Sequence, residues 1–207
     1  MKVLIVDDHD VVRRGVKQIL AEEFDQIVFG EAANAKAALA LVHKTSWDAV
    51  ILDINMPGRS GLDVMKELKA RRPKMQILVL SVQPEDQYAI PVLKAGASGY
   101  LCKDGASAEL VNAFKTIIAG GKYVSPAVSK KLVASVGGAR ETAAHEKLSA
   151  REFQVLRLLT SGKSMGDMAQ DLNLSPQSVS TYRARILKKL KMANNSQLIR
   201  YAIKMGW

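Results

Sequence analysis

The sequence is poor in the residue types that mark several classes of protein. Its 207 residues include one cysteine, Cys102, so the chain cannot close an internal disulfide, and we expect it in the reducing cytoplasm. Aromatic residues make up 5% of the chain, and its apolar runs, such as residues 49–52, are far too short to span a membrane, so we predict no membrane span. Asp7 and Asp8 directly follow the first apolar run, which argues against a signal peptide.

The positive charge of the chain is confined to its C-terminal part. The formal net charge is +10 at pH 7, yet residues 1–120 carry 15 basic and 15 acidic side chains. Residues 121–207 hold the other 15 basic side chains and only five acidic ones. A neutral part followed by a basic part predicts two domains with different partners, and the basic part favours a polyanion.

Short β-rich apolar runs alternate with segments of helical spacing over residues 1–120. This alternation is typical of βαβ units, which build a parallel sheet covered by helices on both faces. For a domain of this size we predict a doubly wound α/β fold of the flavodoxin-like (βα)5 type, with strand order 2-1-3-4-5. The predicted strands are 3–6, 27–29, 49–52, 77–80 and 100–102, and the predicted helices are 11–23, 35–42, 62–70, 92–95 and 108–119.

The remaining residues contain no strand pattern. Residues 121–147 predict a linker, partly helical over 126–136, and residues 148–207 predict a small all-α domain of four helices. The second and third of these helices are separated by only about three residues, 173–175, which is typical of a helix-turn-helix. The predicted helix starts are the capping box of Ser149 with Glu152, then Ser164, Ser175 and Asn195.

Acidic residues follow two strands that are neighbours in the predicted sheet. Asp7 and Asp8 follow the first strand, and Asp53 follows the third. Three carboxylates packed together repel one another unless a cation lies among them. Oxygen ligands suit Mg²⁺, and the backbone carbonyl of Asn55 offers a further oxygen. The sequence therefore predicts a magnesium site at this edge of the sheet.

Ser81 and Lys103 end the fourth and fifth predicted strands at the same edge. A hydroxyl and an ammonium provide the hydrogen-bond donor and the positive charge that a bound phosphoryl group needs. The metal would draw that group toward Asp53, which we predict to be the nucleophile that forms an aspartyl phosphate.

Taken together and in this order, these residues resemble the receiver domain of response regulators. The resemblance covers about residues 1–120 and includes the sequence Leu-Asp-Ile-Asn-Met-Pro-Gly at 52–58. It also includes Gly-Tyr-Leu-Cys at 99–102, directly before Lys103. Each motif is weak alone, but the complete set, each member at the end of a predicted strand, is highly specific.

The resemblance implies that Asp53 receives its phosphoryl group from a phosphohistidine of a sensor histidine kinase. It also places Ser81 and Tyr100 at the switch positions of the family. There the hydroxyl moves to the phosphate and the aromatic ring turns inward.

Two positions depart from the receiver pattern. Pro91 falls where the family has its fourth helix, and proline in a helix interior costs about 3 kcal/mol, so we expect that helix to begin near Pro91 or to break there. Because that helix belongs to the family's output face, the route by which the signal leaves the receiver stays open. Asp104 stands where many receivers have proline, so no cis-proline is implied.

The third helix of the basic part is predicted to bind duplex DNA. It contains five basic residues and no acidic one. A helix fits the major groove of B-DNA, and phosphate neutralisation supplies most non-specific affinity. In a helix-turn-helix, the start of this helix meets the base edges. The predicted base-reading residues are Gln177, Ser178, Ser180, Thr181 and Ala184. The predicted contacts nearer the backbone are Tyr182, Arg183, Arg185, Lys188 and Lys189.

The sequence from residue 148 resembles the LuxR-type helix-turn-helix of the NarL/FixJ regulators. The resemblance is carried by Leu-Ser-Ala-Arg-Glu at 148–152, Val-Ser-Thr-Tyr-Arg at 179–183 and Ile-Leu-Lys-Lys-Leu at 186–190. It covers nearly all of residues 148–207 and is specific. It implies that the segment from Ser175 holds the DNA-recognition helix.

This part also departs from its family pattern. Met-Gly-Asp at residues 165–167 replaces the more usual Asn-Lys-Glu, and the glycine should weaken the scaffold helix. Ser180 and Ala184 stand where several members have lysines that contact DNA. We therefore expect Arg183 and Arg185 to carry more of the binding.

Both resemblances together predict a phosphorylation-controlled transcription factor. The family implies that the unphosphorylated receiver restrains the C-terminal domain, and that phosphorylation or DNA binding favours a homodimer. The apolar face formed by Leu198, Ile199 and Ile203 in the last helix is a candidate dimer contact, although core packing explains it equally well.

Two other functions are weighed against this one. A phosphatase with a nucleophilic aspartate needs an aspartate two residues later as general acid, but Asn55 cannot donate a proton in that role, which argues against an enzyme. A receiver that binds RNA or a protein through its basic domain is the other alternative. The helix-turn-helix pattern argues for duplex DNA instead.

Overall fold

A computed structural model describes residues 1–57, 59, 61–126, 128–130, 144–172 and 174–205 of the chain. The chain divides into two compact units, Met1–Ala134 and Ser135–Trp207. Of the predicted helix over 126–136, residues 126 and 128–130 are helical. The rest of that helix, and the polar stretch up to residue 143, lie outside the described residues. The predicted domain bounds at residues 120 and 148 stay a prediction.

The first unit is an α/β fold built on a five-stranded parallel sheet. The strands are β1 (Lys2–Val6), β2 (Val28–Ala32), β3 (Ala49–Leu52), β4 (Gln76–Ser81) and β5 (Gly99–Cys102). The helices are α1 (Asp10–Glu23), α2 (Ala35–Lys44), α3 (Gly61–Arg71), α4 (Glu85–Lys94) and α5 (Ala106–Ile118). The strand order is β2-β1-β3-β4-β5, which confirms the predicted order 2-1-3-4-5. Helix α1 contacts α5 and helix α2 contacts α3, as expected for a doubly wound sheet.

The core of this unit lies on both faces of the central strands. Residues 3–6 of β1 and all of β3 are fully buried, which explains why their sequences are apolar without alternation. Leu20 of α1 and Phe114 of α5 are buried in the same cluster. Each such side chain contributes about 1.5–3 kcal/mol through burial. This packing fixes the carboxyl ends of β1 and β3 beside each other.

Helix α4 differs from the prediction. It runs over Glu85–Lys94 rather than 92–95, and Pro91 lies inside it without breaking it. Proline removes one helical N–H, but the backbone N–H of Ala95 still donates to the carbonyl of Pro91 at 3.1 Å. Packing of the helix therefore outweighs the lost hydrogen bond. Its buried side chains include Tyr88, Ala89 and Val92.

The start of the predicted linker packs within the first unit. Tyr123 is 7% exposed, and its backbone N–H donates to the carbonyl of Ser98 at 2.9 Å. Its hydroxyl donates to Glu109 Oε2 at 2.8 Å. These contacts anchor the chain just after α5.

The second unit is all-α over its described residues, as predicted. A 3₁₀ turn at Ala144–Lys147 precedes four helices. Ser149 and Ser164 open the first two with capping boxes, and the last begins at Asn195 as predicted, with Asn194 as its N-cap. The helices are α6 (Ala150–Thr160), α7 (Met165–Asp171), α8 (Pro176–Leu190) and α9 (Asn195–Lys204).

Helix α8 is held by α6 and α7, and α9 contacts α6. The apolar face of α9 divides into two parts. Leu198 is fully buried, whereas Ile199 is 39% exposed and Ile203 is 69% exposed. Core packing therefore accounts for Leu198 alone. In the part of the chain that the structure describes, no helix is long and apolar enough to cross a bilayer.

Candidate functional site

The carboxyl ends of β1 and β3 bring acidic side chains together, as predicted. Asp7 and Asp53 are each 2% exposed, and Asp8 is half-buried. One ligand atom from each of these residues and one from His9 all lie within 4.8 Å of one another. The backbone N–H of Asp53 donates to the carbonyl of Val6 at 2.8 Å, so pairing between the strands sets the position of this cluster.

One ammonium group joins two of these carboxylates. Lys103 follows β5, and its Nζ lies 2.7 Å from Asp7 Oδ2 and 2.7 Å from Asp53 Oδ2. The Lys103 side chain is 12% exposed, so little water screens these two ion pairs. The backbone N–H of Lys103 donates to the carbonyl of Ser81 at 2.7 Å, which ties the end of β5 to the end of β4.

Burial and the neighbouring charges shift the pKa values of both Asp53 and Lys103. Burial raises the pKa of the Asp53 carboxyl, and the charge of Asp7 adds to this, although hydrogen bonds from Lys103 and Asn55 oppose it. Burial alone lowers the pKa of the Lys103 ammonium, but its hydrogen bonds to Asp53 and Asp7 outweigh burial and raise it. Lys103 therefore stays charged beside the two carboxylates.

Asn55 connects Asp53 to Ser81. Its backbone N–H donates to Asp53 Oδ1 at 2.8 Å, and its side-chain Nδ2 donates to Ser81 Oγ at 3.4 Å. The Ser81 hydroxyl, fully buried, also accepts from the backbone N–H of Gln83 at 3.1 Å. Ser81 thus lies at the same edge as the carboxylates. Coordination by the Asn55 carbonyl stays a prediction.

The ring of Tyr100 is buried next to this edge. Tyr100 is fully buried, and its hydroxyl donates to the carbonyl of Gln83 at 2.9 Å. Burial raises the pKa of the Tyr100 hydroxyl, so it stays a proton donor. The two predicted switch residues, Ser81 and Tyr100, therefore both bond to the backbone of Gln83.

Sequence reasoning missed Gly61, which the pocket requires. Gly61 begins α3 directly against the backbone of the phosphoacceptor candidate. A Cβ at this position would lie 2.0 Å from the carbonyl oxygen of Asp53. Only glycine fits there without displacing the Asp53 backbone. A glycine before an apolar helical segment was the available signal, but it is common at helix starts.

Arg13 was missed as well. Its guanidinium donates to the backbone carbonyl of Asp7 at 2.8 Å and to Asp10 Oδ1 at 2.9 Å. It also donates to Glu31 Oε2 in β2 at 3.3 Å, and its side chain is 13% exposed. Arg13 thereby ties the loop that carries the carboxylates to the edge strand. An arginine in the first turns of a helix is not distinctive by itself.

Helix α8 presents most of its predicted base-reading face to solvent. Ser178 is half-buried, and its backbone N–H donates to the helix-capping hydroxyl of Ser175 at 3.1 Å. Tyr182 is also half-buried, and the guanidinium of Arg185 lies 5.8 Å from its ring centroid. The exposed members of the predicted set are Gln177, Ser180, Thr181, Ala184, Arg185, Lys188 and Lys189.

Two of the predicted phosphate contacts also bond to other helices of the second unit. Arg183 Nε donates to Asn195 Oδ1 at 2.7 Å. Lys189 Nζ donates to Glu152 Oε2 at 2.6 Å, and Glu152 belongs to the capping box of α6. Both side chains therefore help to hold α8 in place, a role that charge patterning alone did not indicate.

The sheet, the carboxylate pocket with its lysine, and the helix-turn-helix unit define a response regulator with a DNA-binding output domain. The family model of the response regulator receiver domain matches residues 3–115. The family model of the bacterial regulatory proteins of the luxR family matches residues 146–202. The chain therefore belongs to the response regulators with a LuxR-type DNA-binding domain, as both sequence resemblances predicted.

Relatives align over all or nearly all of the chain. Response regulator GacA of Pseudomonas aeruginosa is 33% identical over 100% of this chain and 97% of its own length. Response regulator UvrY of Escherichia coli is 31% identical over 100% of this chain and 95% of its own length. RcsB of Salmonella enterica serovar Typhimurium, solved bound to the rprA promoter in the presence of the phosphomimetic BeF3⁻, has a TM-score of 0.69 and 28% identity, with 97% of each chain covered.

Proposed function

We propose that this response regulator accepts a phosphoryl group on Asp53 from a phosphohistidine of a sensor histidine kinase. We propose further that phosphorylation controls dimerisation and duplex DNA binding by the C-terminal domain. The observation that carries the proposal is the position of Asp53, whose Oδ2 lies 2.7 Å from Lys103 Nζ in a buried pocket of carboxylates. The domain bounds that we propose are 1–120 for the receiver, 121–147 for the linker and 148–207 for the DNA-binding domain.

In the transfer, a carboxylate oxygen of Asp53 attacks phosphorus and forms the new P–O bond. The P–N bond of the donor phosphohistidine breaks, and the imidazole leaves with the electron pair of that bond. Lys103 offers its ammonium to the phosphoryl oxygens, since it already lies beside the acceptor carboxylate. Ser81 offers a hydroxyl at the same edge. Asn55 stands where a phosphatase of this type needs an aspartate as general acid, and its amide cannot donate a proton in that role. This favours a regulatory phosphoacceptor over a hydrolase.

The residues of the pocket fit a magnesium ion. Asp7, Asp8 and Asp53, with the backbone carbonyl of Asn55, would hold it through hard oxygen ligands. Among the described residues, Asp8 Oδ1 is buried and accepts no hydrogen bond, as expected of an oxygen that coordinates a cation. When bound, the ion supplies positive charge to the acceptor carboxylate and the phosphoryl oxygens.

Helix α8 is the proposed reader of duplex DNA. Its exposed residues Gln177, Ser180 and Thr181 would face the base edges, with Ser178 beside them. Arg185 and Lys188 would neutralise phosphates, as would Arg183 and Lys189 where their bonds to other helices permit. Tyr182 would contact the DNA backbone beside them. The promoter complex of RcsB supports this proposal. A separate solved structure, of two RcsB dimers bound to two parallel DNAs, supports binding as a homodimer. We propose that the protein acts in the cytoplasm.

The acceptor is tested by covalent labelling with a small phosphodonor and Mg²⁺. We expect Asp53→Asn to abolish labelling, because the amide cannot act as the nucleophile. The control is Asp25→Asn, which removes an exposed carboxylate after α1 and should label like the wild type. Retained labelling of Asp53→Asn places the acceptor elsewhere. Steady phosphate release from a phosphomonoester over many turnovers indicates an enzyme instead.

A further inference from the structure

The proposed phosphotransfer leaves one group of the pocket without a role, the imidazole of His9. Its Nδ1 lies 3.2 Å from Asp7 Oδ1 and 3.2 Å from Asp8 Oδ1. The backbone N–H of His9 also donates to Asp7 Oδ1 at 2.9 Å, which holds the residue at the rim of the pocket. The side chain is 65% exposed, so an ion in solution can reach it.

We propose that His9 is a ligand of the metal site and sets its metal preference. Its imidazole would join Asp7 and Asp8 around a first-row transition metal ion. The affinity of the site for such an ion, relative to its affinity for Mg²⁺, would then be higher than that of a site made of carboxylates alone. This inference rests on the proposed function, because it assumes that a divalent ion binds among these carboxylates.

The spacing of the three atoms suits neighbouring ligands of one ion. With metal–ligand bonds of about 2.1 Å, adjacent ligands of an octahedral ion lie about 3 Å apart and opposite ligands about 4.2 Å apart. The nitrogen of His9 is 3.2 Å from one oxygen of each aspartate, and the cluster with Asp53 falls within 4.8 Å. Only a small adjustment of these side chains is needed to surround an ion.

The lysine of the pocket does not compete for this position. Lys103 Nζ contacts the other oxygen of Asp7, Oδ2, at 2.7 Å. Asp7 therefore faces Lys103 with one oxygen and His9 with the other. Asp8 Oδ1 accepts no hydrogen bond among the described residues, so it too can turn to an ion on the His9 side.

The chemistry of the donor atoms decides which ion gains from His9. Mg²⁺ prefers oxygen ligands, and a nitrogen ligand adds little to its affinity. Imidazole suits the divalent ions from iron to zinc, and Co²⁺ is a spectroscopic probe for this group. Removing the imidazole should therefore weaken Co²⁺ binding much more than Mg²⁺ binding.

The test is calorimetric titration of the full chain with Mg²⁺ and separately with Co²⁺, in the same buffer at about pH 8. We expect His9→Ala to lower the preference for Co²⁺ over Mg²⁺ by about tenfold or more. The matched control is His43→Ala, an exposed histidine in α2, which should keep the wild-type preference. An unchanged preference in His9→Ala overturns the proposal.

A second measurement detects the ligand directly in the wild type and in the same two variants. In the Co²⁺-loaded chain, we expect one strongly shifted imidazole proton resonance in the NMR spectrum, which disappears in His9→Ala and stays in His43→Ala. A Co²⁺ complex without this resonance overturns the role of His9. If neither ion binds, or if binding survives Asp8→Asn, the proposed magnesium site itself fails. Tight binding of both ions with unchanged preference in His9→Ala removes only the further inference.

Discussion

In the pocket, the ionisation of each buried side chain depends on the charges beside it. Asp53 and Asp7 are both almost fully buried, and one ammonium, Lys103, lies between them. Two carboxylates and one lysine leave a net negative charge in a site of low polarity, which is unfavourable for folding. In the proposed function such a site would bind a cation and react with a phosphoryl donor, so the function would lower the stability of the fold.

The glycine at the start of α3 gives the sharpest prediction for a single residue. Gly61→Ala places a Cβ against the carbonyl of Asp53, and because backbone cannot yield as a side chain can, we expect a loss of about 1–3 kcal/mol in unfolding free energy. Phosphodonor labelling of Asp53 should slow as well. Urea unfolding and labelling rates measure the two effects.

Gly15→Ala is the control for this substitution. Gly15 lies in α1. Apart from its chain neighbours and the backbone of its own helix, no heavy atom of the described residues lies within 4 Å of a Cβ built there. Alanine should stabilise the helix by about 0.5–1 kcal/mol at that position. If Gly61→Ala behaves like Gly15→Ala, close contact with the Asp53 backbone is not what restricts this position.

For whole elements, the sequence predicted best where local pattern and tertiary environment agree. The apolar run of β3 identified a buried strand with the bounds that the structure has, Ala49–Leu52. The strand ends then predicted the carboxylate pocket, since parallel strands deliver their carboxyl ends to one edge. Strand β2 was placed at 27–29 but runs over Val28–Ala32, because pairing with β1 extends it through Gly30 and Glu31, which carry no apolar signal.

Elsewhere the outcome depended on contacts that no local pattern contains. Helix α4 continues through Pro91 because its buried side chains hold it, whereas propensity alone predicted a break. The roles of Arg13 and Gly61 depend on contacts across a loop with the backbone carbonyls of Asp7 and Asp53, which helical or strand periodicity does not encode. The sequence therefore predicted the main carboxylates and the lysine, but not the residues that position them.

The anchoring of α6 to α8 gives a prediction on pH. Burial works against the charge of Glu152, but hydrogen bonds from Lys189 and Ser149 outweigh it, so the pKa of Glu152 is lowered. A lowered folded-state pKa stabilises the unit above the usual glutamate pKa of about 4.3, and this stabilisation is lost as pH falls through the lowered value. Wild-type protection of α6 amides against hydrogen exchange should therefore decrease with acid.

Glu152→Gln should flatten this dependence, because the variant has no proton to gain at that position. Its α6 amides should exchange faster than those of the wild type near neutral pH and approach the wild-type rate in acid. Asp171→Asn serves as the control, because the ion pair of Asp171 with Lys163 is exposed and contributes little. An acid response in Glu152→Gln equal to that of the wild type assigns the effect to another group.

At the scale of the whole molecule, the two units differ in charge and therefore suit different ligands. The carboxylates of the first unit suit a cation and a phosphoryl group, while the basic excess of the chain lies after residue 120. That excess should appear as a strong salt dependence of DNA binding, because each neutralised phosphate releases counterions.

The salt dependence of DNA binding can be tested with one substitution, at Lys188. It is exposed on α8, and we expect Lys188→Ala to weaken duplex binding and to reduce the slope of log affinity against log salt by about 0.9. Lys44→Ala, an exposed lysine of α2, should leave both unchanged. Fluorescence anisotropy over a range of salt concentrations provides the data. A wild-type slope in Lys188→Ala removes this lysine from the interface, and a preference for single strands or RNA excludes the duplex.

The most direct test of the account is the affinity of the full chain for a duplex that it has itself selected from a random pool. It is measured with Mg²⁺ before and after treatment with acetyl phosphate, in the wild type and in Asp53→Asn. We expect treatment to tighten binding by the wild type by about fivefold or more, as for a typical coupling free energy, and to leave Asp53→Asn unchanged. An equal gain in DNA affinity in both proteins would contradict control of DNA binding through Asp53. So would a wild-type protein that is phosphorylated by the treatment but gains no DNA affinity.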